Sequence, residues 1–212
     1  MYDLPDVVIT EKITKSKYRA KPKFTGNRRF YIQLGGNLDL LNIPARFNIQ
    51  LGEDLQQDET YTKKSAALLG CLSEWSNNIS SQYIQDNFER LKQIGLNELD
   101  KKQHSKQKKE NNSPTKITRE SRTKTLSQLG GLFSLIEVLK KFDLNMGDDL
   151  QTNQEAKIKS AILIGSLKEC FDQMSDIQII NKLCAWEKIG YEIMEARNKN
   201  VKNGKYKLLK NT

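Results

Sequence analysis

The stretch IQLGGNLDLLNIPARFNIQLGEDLQ at residues 32–56 returns as SQLGGLFSLIEVLKKFDLNMGDDLQ at residues 127–151. The offset of 95 holds without a gap from residue 33 to residue 95, and 21 of those 63 positions are identical. Unrelated segments of ordinary composition would share about 4. The chain is therefore a tandem duplication, and a unit of this length is a small domain rather than a solenoid repeat. No other feature restricts the fold as strongly, because each apolar face must serve in both copies.

The two copies can be compared position by position. In a first helical segment Tyr31, Leu34, Leu38 and Leu41 correspond to Leu126, Leu129, Phe133 and Ile136. In a second, Leu68, Leu72, Trp75 and Ile79 correspond to Leu163, Leu167, Cys170 and Met174. In a third, Ile84, Phe88, Leu91 and Ile94 correspond to Ile179, Leu183, Trp186 and Ile189. Steps of 3 and 4 draw one apolar face on a helix. Identities change while the faces stay apolar, which is what a packed core requires. Strand alternation with short hairpin turns is missing outside Asn203-Gly204. The expectation is an all-α fold of two tandem three-helix units, with mutual packing between two limited cores.

Paired glycines, Gly35-Gly36 and Gly130-Gly131, interrupt the first helix of each unit. Each costs a helix interior roughly 0.8–1 kcal/mol relative to alanine, so a close helix–helix approach is the expected compensation. A phosphate-binding loop is excluded, since no G-x-x-x-x-G-K-[ST] pattern occurs. Leu51-Gly52-Glu53-Asp54-Leu55 and Met146-Gly147-Asp148-Asp149-Leu150 read as turns whose carboxylates cap the following helix. They lack the further carboxylates of a calcium loop. Pro44 stands where the second copy has Leu139, which predicts that the first helix stops earlier in copy one.

The beginning, MYDLPDVVIT, lacks the basic-then-apolar pattern of a signal peptide. The longest apolar runs, such as AILIG at 161–165, are far shorter than a membrane span. Cys71, Cys170 and Cys184 are odd in number and fall in helical segments, so they read as small buried hydrophobes of a reducing compartment. The expected location is cytoplasmic.

Charge divides the chain further. The net +9 is concentrated in a basic N-terminal arm (1–29), a basic linker (101–121) and a basic tail (195–212). The helical repeats between them, 30–100 and 122–194, are mildly acidic overall. Residues 11–29 carry net +7 through Lys12, Lys15, Lys17, Arg19, Lys21, Lys23, Arg28 and Arg29 against one acid. Residues 101–124 again carry net +7, through Lys101, Lys102, Lys106, Lys108, Lys109, Lys116, Arg119, Arg122 and Lys124 against two. Two readings compete. The arms are solvated linkers, or they contact a polyanion, DNA being the partner whose phosphates lysine and arginine neutralise. Arg28-Arg29 and Arg122-Thr123-Lys124 are expected to lie directly before the first helix of each copy, and this repetition favours DNA. Tyr18 and Phe24 interleave with the first arm at positions where they can stack on unpaired bases or pack on the protein.

Catalytic patterns are missing. The one histidine, His104, stands in the basic linker without a cysteine or carboxylate cluster beside it, which argues against zinc and against a Cys–His pair. No G-x-S-x-G elbow occurs. No cofactor is implied, and the chain is expected not to be an enzyme.

Arg122-Thr123-Lys124, Gln128-Leu129-Gly130-Gly131 and then Gly147-Asp148-Asp149-Leu150-Gln151 resemble the small TraD proteins of conjugative plasmids and integrative elements. These are the Ti-plasmid-type proteins encoded near relaxase genes, not the coupling ATPases of the same name. The resemblance covers residues 121–174 and, more weakly, 28–79, where Asn27-Arg28-Arg29 replaces R-T-K and Glu53 replaces the first Asp. It implies a non-enzymatic accessory of conjugative DNA transfer, binding DNA through the basic arms at a relaxosome. A second reading it admits is a helical module that bridges relaxase or coupling protein to a type IV secretion system, and a third, given less weight, is a regulator of transfer genes. No catalytic or ligand residue carries over.

Overall fold

The computed structural model describes residues 26–106 and 117–210, with side chains described for 27–101 and 117–199. Every regular element among them is a helix. Repeat one supplies α1 (Gly26–Leu40), α2 (Ile43–Arg46), α3 (Glu59–Asn78), α4 (Ser81–Asp86) and α5 (Phe88–Lys106). Repeat two supplies α6 (Arg119–Phe133), α7 (Val138–Lys141), α8 (Gln154–Gln173) and α9 (Asp176–Lys210). Local chemistry recurs at the offset of 95. Asp58 and Asn153 cap α3 and α8 by accepting from the amides of Tyr61 and Ala156, each at 3.1 Å. Left-handed backbone recurs at Asn42 and Glu137, at Asn48 and Asp143, and at Gly52 and Gly147. One difference is local. The third helix of repeat one is broken at Asn87, whose amide side chain donates 2.9 Å to the Tyr83 carbonyl. Its counterpart Lys182, a good helix former, lets α9 run unbroken for 35 residues, about 52 Å.

The bundle is shared between the repeats rather than built twice. The dominant packed pairs are α1 with α6, α3 with α9 and α5 with α8, each joining one repeat to the other. Glycines set all three. A Cβ on Gly35 would collide with the carbonyl of Leu126 on α6, and one on Gly130 with that of Tyr31 on α1. Gly70 stands against Trp186 and Gly190 against Ala66; Gly95 stands against Ala161 and Gly165 against Leu91. In every case the glycine meets the carbonyl four residues before its partner glycine. That reciprocal pattern makes each pair antiparallel. The six contacts form three pairs under the 95-residue offset, so the chain is an internal pseudo-dimer.

One hydrophobic core therefore spans both repeats. Leu34, Leu38, Leu72, Leu129, Phe133 and Leu167 are completely buried, as their spacing predicts. Trp75 stacks on Phe142 at 5.9 Å between ring centroids, and Phe47 meets Trp186 at 6.0 Å. Several expectations need correction. Phe88 is exposed, because the break at Asn87 makes it the first residue of a new helix. Ile94 and Ile189 are half-buried, since Gly95 and Gly190 hold the closest approach beside them, and Leu183 is half-buried as well. Of the cysteines expected to be buried only Cys71 is; Cys170 is half-buried, and Cys184 is exposed, in the place of Glu89 on an outward face. Pro44 does not shorten the first helix. That helix turns off before residue 42 or 137 in both copies, and Pro44 sits in the first turn of α2. The charged segments also run into helices: Arg28 and Arg29 lie inside α1, Lys101, Lys102, His104 and Lys106 inside α5, and residues 195–210 continue α9.

The glycine contacts yield a paired test. Gly130→Ala should destabilise by roughly 1–3 kcal/mol through overpacking. Its neighbour Gly131 has open space where a Cβ would go, so Gly131→Ala should stabilise by up to about 0.8–1 kcal/mol through helix propensity. Chemical denaturation of the two variants measures both signs.

Candidate nucleic-acid interface

The α1–α6 crossing joins the two basic segments, because the first arm leads into α1 and the linker into α6. At the centre of the crossing lie Gln33 and Gln128. The Gln33 amide donates to Asp149 Oδ1 at 2.8 Å while its Oε1 accepts from the Leu150 amide at 3.0 Å. Gln128 does the same to Asp54 at 2.7 Å and the Leu55 amide at 3.0 Å. Arg29 pairs with Asp149 at 2.7 Å, and Lys124 pairs with Asp54. Each basic-Gln-Gly-Gly segment thus grips the G-x-D-L-Q turn of the other repeat. The motif that carries the family resemblance is a latch across the pseudo-two-fold axis. The turn carboxylates do not cap the following helices, whose caps are Asp58 and Asn153; they bind amides of their own turns, and Asp54 and Asp149 also bind the latch.

The latch carboxylates stay ionised far into acid. Hydrogen bonds from Lys124 and then Gln128 hold the Asp54 carboxyl down at about 2. For Asp149, burial acts upward, but hydrogen bonds from Thr152, Gln33 and the amides of Gln151 and Thr152 outweigh it and hold it below the usual range. Further cross-repeat contacts reinforce the same pairing. Arg46 donates to the carbonyls of Phe171, at 2.7 Å, and Met174 at the end of α8. Its counterpart Lys141 donates to those of Ser76 and Ile79 at the end of α3, at 2.5 and 3.1 Å. Glu74 accepts from Lys182 at 2.6 Å and Trp186 at 2.7 Å, and its counterpart Glu169 accepts from Tyr83 and Arg90.

Two grooves flank the crossing, and their linings correspond at the 95-residue offset. The first, about 410 Å³, includes Tyr31, Thr62, Ser127, Ser134 and Arg197. The second, about 620 Å³, includes Asn37, Asp39, Arg119, Arg122, Lys157 and Ser160. Where the second groove has Arg119, Arg122 and Lys157, the first copy has Phe24, Asn27 and Thr62. The grooves are alike in backbone and unlike in charge.

Of the basic residues singled out by sequence, Arg28 lies in α1 and Lys101, Lys102 and Lys106 lie in α5; the other thirteen fall into three groups. Lys12, Lys15, Lys17, Arg19, Lys21, Lys23, Lys108, Lys109 and Lys116 lie outside the described residues. Arg29 and Lys124 are half-exposed and bound to carboxylates, so they serve the fold as well as offering charge to solvent. Arg119 and Arg122 line the second groove. The structure adds Lys157, which no charge run marks because it sits in an acidic repeat. It also adds Gln33 and Gln128, whose identity in both copies was the available signal. Among the described residues no group of three or more histidines, cysteines and carboxylates could hold a metal ion, and no helix is long and apolar enough to cross a membrane. Burial raises the thiol of Cys71 and pushes that of Cys170 up to about 11. Comparison with protein-family models, curated proteins and solved structures finds no match.

The lowered Asp54 and Asp149 values fix a pH dependence. A carboxylate depressed in the folded state contributes stability that is complete above its unfolded value of 3.8 and is lost as pH falls towards about 2. Melting curves between pH 5 and pH 2, a range of about three units, should show an acid-induced loss that is smaller in Asp54→Asn/Asp149→Asn than in the unaltered chain.

Proposed function

We propose that this chain is a non-enzymatic accessory protein of conjugative DNA transfer that binds DNA through its basic segments at a relaxosome. The observation that carries this reading is the placement of charge. Two segments of net +7 each run into the first helix of a repeat, and those two helices cross as α1 and α6. Of these cations, Arg28, Arg29, Arg119, Arg122 and Lys124 lie on the two crossing helices themselves. Binding of this kind is dominated by phosphate neutralisation and counterion release, and is largely independent of sequence. The resemblance to small TraD proteins supplies the conjugative setting, with relaxase or coupling protein as neighbours and the cytoplasm as the location.

A second reading takes the chain as a helical module bridging relaxase or coupling protein to a type IV secretion system. Ile177 and Ile180 favour it: one turn apart on α9, they are 71% and 65% exposed.

The experiment is binding of labelled single- and double-stranded DNA across a salt series. The DNA reading predicts a slope of log K against log salt of about −0.9 per phosphate neutralised on duplex and about −0.7 on single strands. Replacing Lys12, Lys15, Lys17, Lys108, Lys109 and Lys116 by glutamine should flatten that slope and leave the melting temperature nearly unchanged. Arg29 and Lys124 are unsuitable for this purpose, because their loss also opens the latch. Weak, salt-insensitive retention of DNA, unchanged in the six-fold variant, would contradict the DNA reading and favour the module.

A further inference from the structure

We infer that the groove between α1, α6 and the start of α8 is a phosphate-binding site for a nucleic-acid backbone, centred on Arg119, Arg122 and Lys157. The inference rests on the DNA reading above and assigns it a place on the folded surface.

A related groove lies across the pseudo-two-fold axis. That groove is built on the corresponding helices, yet none of these three cations recurs there, and its one cation among the described lining residues is Arg197. The fold therefore does not need them. No ion pair among the described residues engages Arg119 or Lys157, and Arg122 stands a loose 3.8 Å from Asp39, the one acidic residue among the described residues that line the groove. Three cations facing one carboxylate leave an unneutralised positive charge in a concave, partly apolar setting. There an anion is held more strongly than on an open surface.

The shape suits a phosphodiester chain. A volume of about 620 Å³ accommodates a short stretch of strand rather than a single small ion. Hydroxyl and amide groups are present at Thr123, Gln151 and the hydrogen-bonded Asn37–Ser160 pair, 2.9 Å apart on the floor. No aromatic side chain is among the described residues that line the groove, so these residues offer no platform for base stacking and no basis for base selection. Connectivity adds a further argument. Leu99 of α5 and Arg119 of α6 both line the groove, so it lies between the helix that precedes the basic linker and the helix that follows it.

The test measures fluorescence anisotropy of a short labelled thymidine oligonucleotide with the full chain over a salt series. Arg119→Gln/Lys157→Gln should weaken binding about tenfold and reduce the salt slope by about 1.4, two phosphates on a single strand. Arg119→Lys/Lys157→Arg should restore it. Lys140→Gln/Lys188→Gln, which removes the same charge elsewhere on repeat two, should change affinity less than about twofold. Inorganic phosphate at matched ionic strength should compete weakly, because it offers one phosphate where the strand offers several. Equal losses in the groove and control variants would overturn the groove assignment and leave the DNA reading standing. So would phosphate competing as well as unlabelled strand. Absence of any oligonucleotide binding at low salt would overturn both. Thermal melts accompany each variant. If the double variant does not fold, Arg119→Gln alone decides, at an exposed position with no ion pair among the described residues.

Discussion

Everything in this bundle depends on six glycines that let one repeat's backbone touch the other's. A helix interior holds glycine at a cost of nearly 1 kcal/mol each. The return is a close helix–helix approach that a Cβ would forbid, made three times over. Because each glycine stands against the carbonyl four residues before its partner, position along one helix fixes position along the other. The latch at Asp54 and Asp149, the Arg46 and Lys141 contacts to helix ends, and the carboxylates of Glu74 and Glu169 all follow from that register. They are repeated because the crossings are repeated.

This arrangement explains why the copies could diverge where they did. Positions that bind the repeats together keep their chemistry: Gln33 and Gln128, Asp54 and Asp149, Gly35 and Gly130. The groove walls are free of that constraint, and there Asn27 and Thr62 stand opposite Arg122 and Lys157. Duplication thus separates two duties that a symmetric pair of identical units would have to combine. One set of residues maintains the pairing, and a second set, present on one side only, is available for a ligand.

Much of the fold was legible in the sequence. The 3 and 4 spacing located the long helices, and the repeated glycines marked where backbones meet. The choice of partner was not legible, because a helix with one apolar face presents the same pattern to its own repeat and to the other. Phe88 was misplaced because a heptad-like count continued through Asn87, whose side chain ends one helix and begins another. Arg28, Arg29 and Arg122 read as arm residues because charge was summed over windows, whereas helix geometry places them on the first turns of α1 and α6. Lys157 escaped for the same reason in reverse: an isolated cation in an acidic stretch becomes notable only when α8 brings it beside Arg119 and Arg122.

The central claim is that neither repeat is a folding unit by itself. Separate production of residues 1–106 and 117–212, followed by circular dichroism and analytical ultracentrifugation alone and mixed, tests it most directly. The account predicts that each half is folded only in a pair, with its counterpart or with a second copy of itself, and that mixing yields a one-to-one complex with a cooperative melt. A cooperative melt from either half as a monomer would contradict it.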